Sequence, residues 1–239
     1  NKPLLEKIAA RNVTALAMEL IPRISRAQNM DVLSAMGTVA GYKAVLLAAN
    51  IFPRFFPMFM TAAGTIPPAR ALILGAGVAG LQAIATAKRL GAAVEGSDIR
   101  PEVKEQVESV GGRFVGIQLS EEEASGQGGY AKELSEDRSK QLLEAISGRL
   151  PRTDIVICTA QIPGKPAPIL LTEEMMKLLK PGSVVVDLAV ETGGNCAFTE
   201  YDKTVVHNGV TIIGTANLPA LMPVHASQMF ARTVGNLVL

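Results

Sequence analysis

Tryptophan is absent from the 239 residues, aromatic side chains make up only 4%, and histidine and cysteine occur twice each. Few stacking platforms remain for bases. The 23 basic and 22 acidic residues leave a net charge of +1 with no basic run, so nucleic acid is not expected as a partner. Cys158 and Cys196 have no CxxC spacing and no histidine cluster beside them, which argues against a structural zinc site. Two reduced, partly buried thiols in a reducing compartment are expected instead. No signal-peptide pattern is present. The most apolar stretch, 42–64, is broken by Lys43, Pro53, Arg54 and Pro57, so no membrane span is expected. Charged residues make up 19% and apolar residues 48%, a balance that excludes disorder and permits a sizeable core.

The pattern of the chain changes along its length. It begins at Asn1, without Met, directly ahead of a helical pattern, and reads as a fragment or processed product. Residues 4–20 predict a helix running into a short buried strand at 13–20, stopped by Pro22. After a polar loop, Asp31 stands as the N-cap of a helix reaching about Ile51, and Pro53, Pro57, Pro67 and Pro68 mark an irregular connector. From there strands and helices alternate. Strands are expected at 69–74, 93–96, 112–117, 154–159, 183–188 and 210–213. Helices are expected at 78–90, 101–110, 172–179 and 226–239. This order predicts an α/β fold, a doubly wound parallel sheet, with part of a second α/β domain beside it. The expected division gives 34–203 to a Rossmann-type domain and 1–33 with 204–239 to the remnant of a discontinuous one. The polar, acidic segment 120–140 reads as either a spacer or a functional lid.

Gly75-Ala76-Gly77-Val78-Ala79-Gly80 is a G-x-G-x-x-G placed between a predicted strand and a predicted helix, the context that gives this motif meaning. Gly75 permits the tight turn, Gly77 admits a pyrophosphate close to the backbone, and Gly80 lets helix pack on strand. The helix N-terminus, opening at Val78 and Ala79, then faces the phosphates with unpaired N–H groups. Asp98 lies 18 residues past Gly80, near the spacing of roughly 20 for a ribose-binding acid. A carboxylate there accepts from ribose hydroxyls and repels a 2′-phosphate, so NAD(H) is favoured over NADP(H). Ile99 follows directly, and the nearby Arg100 could in principle bind a 2′-phosphate, but Asp98 comes first and argues against it. The strand-end loops 159–164, with Thr159 and Ala160, and 188–195, with Glu191 and Asn195, are expected to face the cofactor, although ordinary turn chemistry explains them equally well. Arg23, Gln28, Asp31 and Ser34 offer the donors and acceptors a nicotinamide carboxamide needs. On the residues alone, a solvated loop with an N-cap accounts for them too. Neither His207 nor His225 falls in a cofactor-facing loop. Hydride exchange between two nicotinamides needs no general base, so the scarcity of histidine fits such a reaction.

PRISRAQNMD (22–31), AGYKA (40–44), GAGVAG (75–80), GQGGYAK (126–132), IPGKPAP (162–168) and DLAVETGGN (187–195), in that order, resemble the NAD(H)-binding component of proton-translocating nicotinamide nucleotide transhydrogenases. The resemblance implies that Arg23, Gln28, Asp31 and Ser34 form the nicotinamide loop. It puts Gly75, Gly77, Gly80 and Asp98 in the dinucleotide fingerprint, and Gly129 and Tyr130 in a mobile loop that closes over nucleotide. It further implies a homodimer on the soluble face of a membrane complex, in a bacterial cytoplasm or a mitochondrial matrix. The partners would be an NADP(H)-binding domain and a membrane domain, with hydride passing from NADH to NADP⁺ as protons cross the membrane. The front of the first domain looks absent, and Phe56-Pro57-Met58-Phe59-Met60 is more apolar than the family pattern. Alanine dehydrogenases resemble the chain in IPGKPAP and DLAVETGG, with an acid at the position of Glu191, but lack GQGGYAK and PRISRAQ. A module that binds NAD(H) without turning it over is the remaining alternative.

Overall fold

In the computed structural model, residues 2–117, 135–162 and 164–239 are described. Their centre is a seven-stranded sheet of order β5-β4-β3-β6-β7-β9-β8. It is made of β3 (Arg70–Leu74), β4 (Ala93–Ser97), β5 (Arg113–Phe114), β6 (Ile155–Cys158), β7 (Val184–Asp187), β8 (Thr204–His207) and β9 (Val210–Ile213). Every neighbouring pair is parallel except β8 with β9. β6 (IVIC) and β7 (VVVD) are buried throughout, and β3 (RALIL) beyond its first residue. Such continuous apolar runs belong to strands covered on both faces.

The two faces are covered by different helices. Successive side chains of a strand point to opposite sides, and the two cores follow that alternation. Ala71, Ile73, Ile157 and Val186 join a cluster with α2 (Val32–Ile51) and α3 (Val78–Arg89) through Ala44, Val45, Ala83 and Ile84. Leu72, Leu74, Val156 and Val185 join the other, with Leu142 and Ile146 of α5 (Glu136–Ser147) and Met175 and Met176 of α6 (Glu173–Met176). α4 (Val103–Ser109) adds Val103 and Val107 to the first cluster. The expected doubly wound architecture is therefore present. The chain starts the sheet at β3, lays β4 and β5 on one side of it, then returns to place β6 and β7 on the other. The β3/β6 boundary is the point where ligands bind in such sheets.

The structure amends the sequence reading in several places. Residues 13–17 form no strand and 18–20 are a single 3₁₀ turn, Met18–Leu20, with Leu16 and Leu20 well exposed. A strand needs a hydrogen-bonding neighbour, and among the described residues none lies beside this stretch. The sheet also runs past residue 203. β8 and β9 form a hairpin whose second strand pairs with β7, so 204–213 belongs with the sheet rather than with 1–33. The closing helix α7 (Pro223–Val238) leans the other way, packing on α2 and on the 3₁₀ segment Ser25–Met30, where Asn236 Nδ2 donates to the Asn29 carbonyl at 2.8 Å. The proline-marked connector holds a small hairpin, β1 (Phe59–Thr61) with β2 (Gly64–Ile66). α1 (Lys2–Ala9) has no buried residue. α2 has the length and mean hydropathy of a membrane span. In the structure α3, α7 and the sheet pack against it.

Candidate functional site

The carboxyl ends of β3, β4, β6 and β7 open into one crevice of about 880 Å³, within the range of roughly 300–1,000 Å³ usual for ligand sites. Its floor is the turn after β3. Gly75 has φ +88°, and a side chain there would meet the Ala160 nitrogen at 2.8 Å. Thr159 Oγ1 donates to the Gly75 carbonyl at 2.6 Å, fastening this turn to the end of β6. A Cβ on Gly80 would collide with the Gly75 carbonyl, so glycine is required for the turn to fold back on the first turn of α3. Among the described residues, a Cβ on Gly77 would meet only the tip of Arg100, at 3.8 Å. The backbone there faces open crevice, as a close-approaching phosphate group needs. Among the described residues no side chain caps the α3 N-terminus, which leaves its N–H groups and positive dipole end for an anion.

Asp98 stands just beyond β4 and is buried. Its Oδ2 accepts from the Ala76 N–H at 2.8 Å and from Arg100 Nη2 at 2.9 Å. Its Oδ1 accepts from the Arg100 backbone N–H at 3.0 Å and from Arg100 Nε at 2.9 Å. These bonds hold the Arg100 guanidinium protonated more firmly than usual, against the opposing effect of its burial.

The far wall is formed by the loops after β6 and β7, and one buried node ties them together. Asp187 Oδ1 accepts from the Ala189 N–H at 3.0 Å. Its Oδ2 accepts from the N–H groups of Asn195 (2.7 Å) and Cys196 (3.0 Å) and from Thr199 Oγ1 (2.7 Å). Burial raises the Asp187 carboxyl, and the four donors only partly offset that. The amide of Asn195 then bridges the loops. Its Oδ1 accepts from the Ala160 N–H at 3.0 Å, and its Nδ2 donates to the carbonyls of Ala160 (2.9 Å) and Pro168 (2.8 Å). Cys158 and Cys196 are free and buried beside this node. Burial pushes both thiols up, so neither is poised as a nucleophile. Among the described residues no His, Cys, Asp and Glu group could hold a metal ion.

The predicted site residues divide accordingly. Arg23, Gly75, Gly77, Val78, Ala79, Asp98, Ile99, Arg100, Thr159, Ala160 and Glu191 all line the crevice. Gly80 lies behind the turn, and Asn195 is fully used in joining loops; both shape the wall without forming it. Glu191 Oε1 accepts from the Asn217 N–H at 3.3 Å. Of Arg23, Gln28, Asp31 and Ser34, Arg23 alone lines the crevice among the described residues. Asp31 is the N-cap of α2, accepting from the Ser34 N–H at 2.9 Å and Ser34 Oγ at 2.6 Å, with Arg23 Nε 3.7 Å away. Burial works against ionisation of Asp31, but the Ser34 bonds and the Arg23 charge hold its carboxyl below its ordinary range. Gln28 is exposed on the 3₁₀ segment. Gly129 and Tyr130 lie outside the described residues. The sequence reading passed over the apolar walls: Leu33, Met36 and Ala40 of α2, and Leu142, Leu143 and Ile146 of α5.

Comparison with known proteins puts this geometry in context. The family model described as alanine dehydrogenase/PNT, C-terminal domain, matches residues 44–239, and the corresponding N-terminal domain model matches residues 1–40. The chain is 55% identical over 237 residues to an NAD(P) transhydrogenase subunit alpha protein of Rhodospirillum rubrum, which aligns with 99% of this chain and of which it spans 62%. It superimposes on the crystal structure of transhydrogenase from Sinorhizobium meliloti with a TM-score of 0.89 and 44% identity, covering 100% of this chain and 64% of that one. Alanine dehydrogenase of Bacillus subtilis is 28% identical over 230 residues, 92% of this chain and 54% of that enzyme.

Proposed function

The chain belongs to the alanine dehydrogenase/PNT family, and from that premise we propose that it is the NAD(H)-binding component of a proton-translocating transhydrogenase. The observation that carries the reading is the crevice at the β3/β6 boundary, where the Gly75–Gly80 turn, the uncapped start of α3 and the Asp98 carboxylate face one space. The open backbone at Gly77 and the volume of the crevice fit a dinucleotide. The turn and the α3 N-terminus would hold its pyrophosphate, and Asp98 its adenosine ribose, a preference for NAD(H) over NADP(H). A bound nicotinamide supplies or takes up hydride. Around it this chain contributes position and dryness. Leu33, Met36 and Ala40 of α2 and Ile162 and Leu188 of the strand-end loops exclude water, and Arg23 provides a donor at the same rim. No proton has to be moved at the reacting carbon, so the wall needs no acid or base.

On this reading a partner domain holds NADP⁺, a membrane domain couples the transfer to proton movement, and two copies of the chain associate. The resemblance to transhydrogenase subunits at 55% identity, against 28% to alanine dehydrogenase, supports this branch of the family. The test is NADH titration followed by mixing with an NADP(H)-binding transhydrogenase domain. Saturable NADH binding and hydride transfer to an NADP⁺ analogue are expected. Formation of NADH from alanine and NAD⁺ would instead make the chain an alanine dehydrogenase. Binding with no transfer in a mixture that is active with a complete subunit would make it a binding module.

A further inference from the structure

The acid assigned to the ribose has no lone pair to spare. A carboxylate offers about four acceptor positions, and in Asp98 two are taken by backbone N–H groups, of Ala76 and Arg100, and two by the Arg100 guanidinium. The backbone donors belong to the Gly75 turn and to the chain after β4, and they stay wherever the side chains go. The guanidinium donors sit at the end of a long, rotatable stem. A ribose diol seeking this carboxylate must therefore take over the positions Arg100 occupies. We propose that Arg100 is a specificity-determining residue that competes with the nucleotide ribose for Asp98, so that NAD(H) binds by displacing its guanidinium. The inference rests on the crevice being the NAD(H) site.

Two consequences follow from the geometry. The pair is a forked, charge-assisted contact between side chains that are 17% and 7% exposed, so it persists in water better than a surface ion pair does. Binding affinity is reduced by the fraction of molecules in which the pair is closed. Discrimination is blunted as well. Arg100 neutralises the carboxylate that would repel a 2′-phosphate. Arg100 thus lowers affinity for NADH and narrows the gap to NADPH.

Arg100→Met keeps the aliphatic stem and removes the fork, while the Arg100 and Ala76 backbone donors still hold Asp98. NADH and NADPH dissociation constants of the purified protein, followed by nucleotide fluorescence, are the readout, with thermal unfolding as a check on folding. NADH is expected to bind about fivefold tighter to Arg100→Met, and the ratio of NADPH to NADH dissociation constants is expected to rise. Arg100→Lys, with a single point charge in place of a fork, should fall between, and it carries the test alone if the methionine variant does not fold. Unchanged or weaker NADH binding overturns the proposal, since it would make Arg100 a bystander or a nucleotide contact. Asp98→Asn separates the two levels of the argument. If the parent binds NADH and Asp98→Asn binds it less well, a null result at Arg100 removes only the competition. If the parent does not bind NADH, or Asp98→Asn is indistinguishable from it, the crevice reading fails and the competition with it.

Discussion

Asp98 and Asp187 stand at the carboxyl ends of two strands of one sheet, both are buried, and each accepts four hydrogen bonds. The donors differ in kind. Asp187 is held by three backbone N–H groups, which cannot leave without moving their loop, and by one threonine hydroxyl on a short side chain. Asp98 is held half by backbone and half by a guanidinium that can rotate away. On the proposed reading, equal numbers of bonds make one acid a fixture of the fold and the other an exchangeable contact. What would set a recognition carboxylate apart from a structural one is then the mobility of its donors rather than burial or satisfaction alone.

The comparison is most severely tested at Asp187. Asp187→Asn turns one acceptor oxygen into a donor facing N–H or hydroxyl donors, and should cost about 3 kcal/mol of stability in urea unfolding. A loss below about 1 kcal/mol would remove its status as a fixture. Asn195→Ala should follow at about 2 kcal/mol, because it strands the N–H and carbonyl of Ala160 and the carbonyl of Pro168. Its NADH affinity should fall with the loosened loop, and stability lost without any change in affinity would show that the loop is not part of the site. Asp98→Asn should reverse that balance, with stability lowered by only about 1 kcal/mol and NADH binding weakened about tenfold. A variant that unfolds readily yet binds normally would erase the contrast.

The smallest effect is in pH. Asp187 has a folded-state carboxyl raised by burial, so the folded chain holds this proton more tightly than the unfolded one. Its contribution is full below an ordinary carboxylate value of roughly 3.9 and is lost as pH rises through the raised value. Asp31 runs the other way. Despite partial burial, its bonds to Ser34 and the Arg23 charge lower its carboxyl. Its contribution is present above that ordinary value and is lost as pH falls through the lowered one. Unfolding free energies from about pH 3 to pH 6 should show Asp31→Asn flattening the acid limb, while Asp187→Asn removes a decline in the opposite direction. A shared direction would refute the assignment of one of them.

The parts of the fold that could be read from sequence are those where burial dictates composition. β3, β6 and β7 are covered on both faces, so their sequences are uninterrupted apolar runs bounded by glycine or polar residues. β8 escaped notice because it is an edge strand whose TVVH alternates between exposed and half-buried. The hairpin of β1 and β2 is exposed throughout and flanked by prolines that hide it as a connector. The run 13–20 misled in the opposite sense, since apolar residues specify a strand only when a neighbour is there to pair. The site divides along the same line. The Gly75 turn and Asp98 carry a spacing signature because backbone geometry and ligand chemistry both constrain them. The leucines and methionine of α2 and α5 carry none, since an apolar wall resembles any other core-facing stripe. The position of Asn195 in a strand-end loop is compatible with both cofactor contact and turn chemistry; the three-dimensional arrangement shows its amide engaged with Ala160 and Pro168.

The contact of Gly41 with α3 joins both ends of the crevice into one mechanical unit. A Cβ on Gly41 would overlap the Ala79 carbonyl, so the middle of α2 rests directly on the first turn of α3, beside the Gly77 backbone. The start of the same helix carries the Asp31 cap and adjoins Arg23 at the opposite rim. A tilt of this twenty-residue helix about so tight a contact would move both rims of the crevice, so on the proposed reading the phosphate turn and the walls around the nicotinamide would respond together.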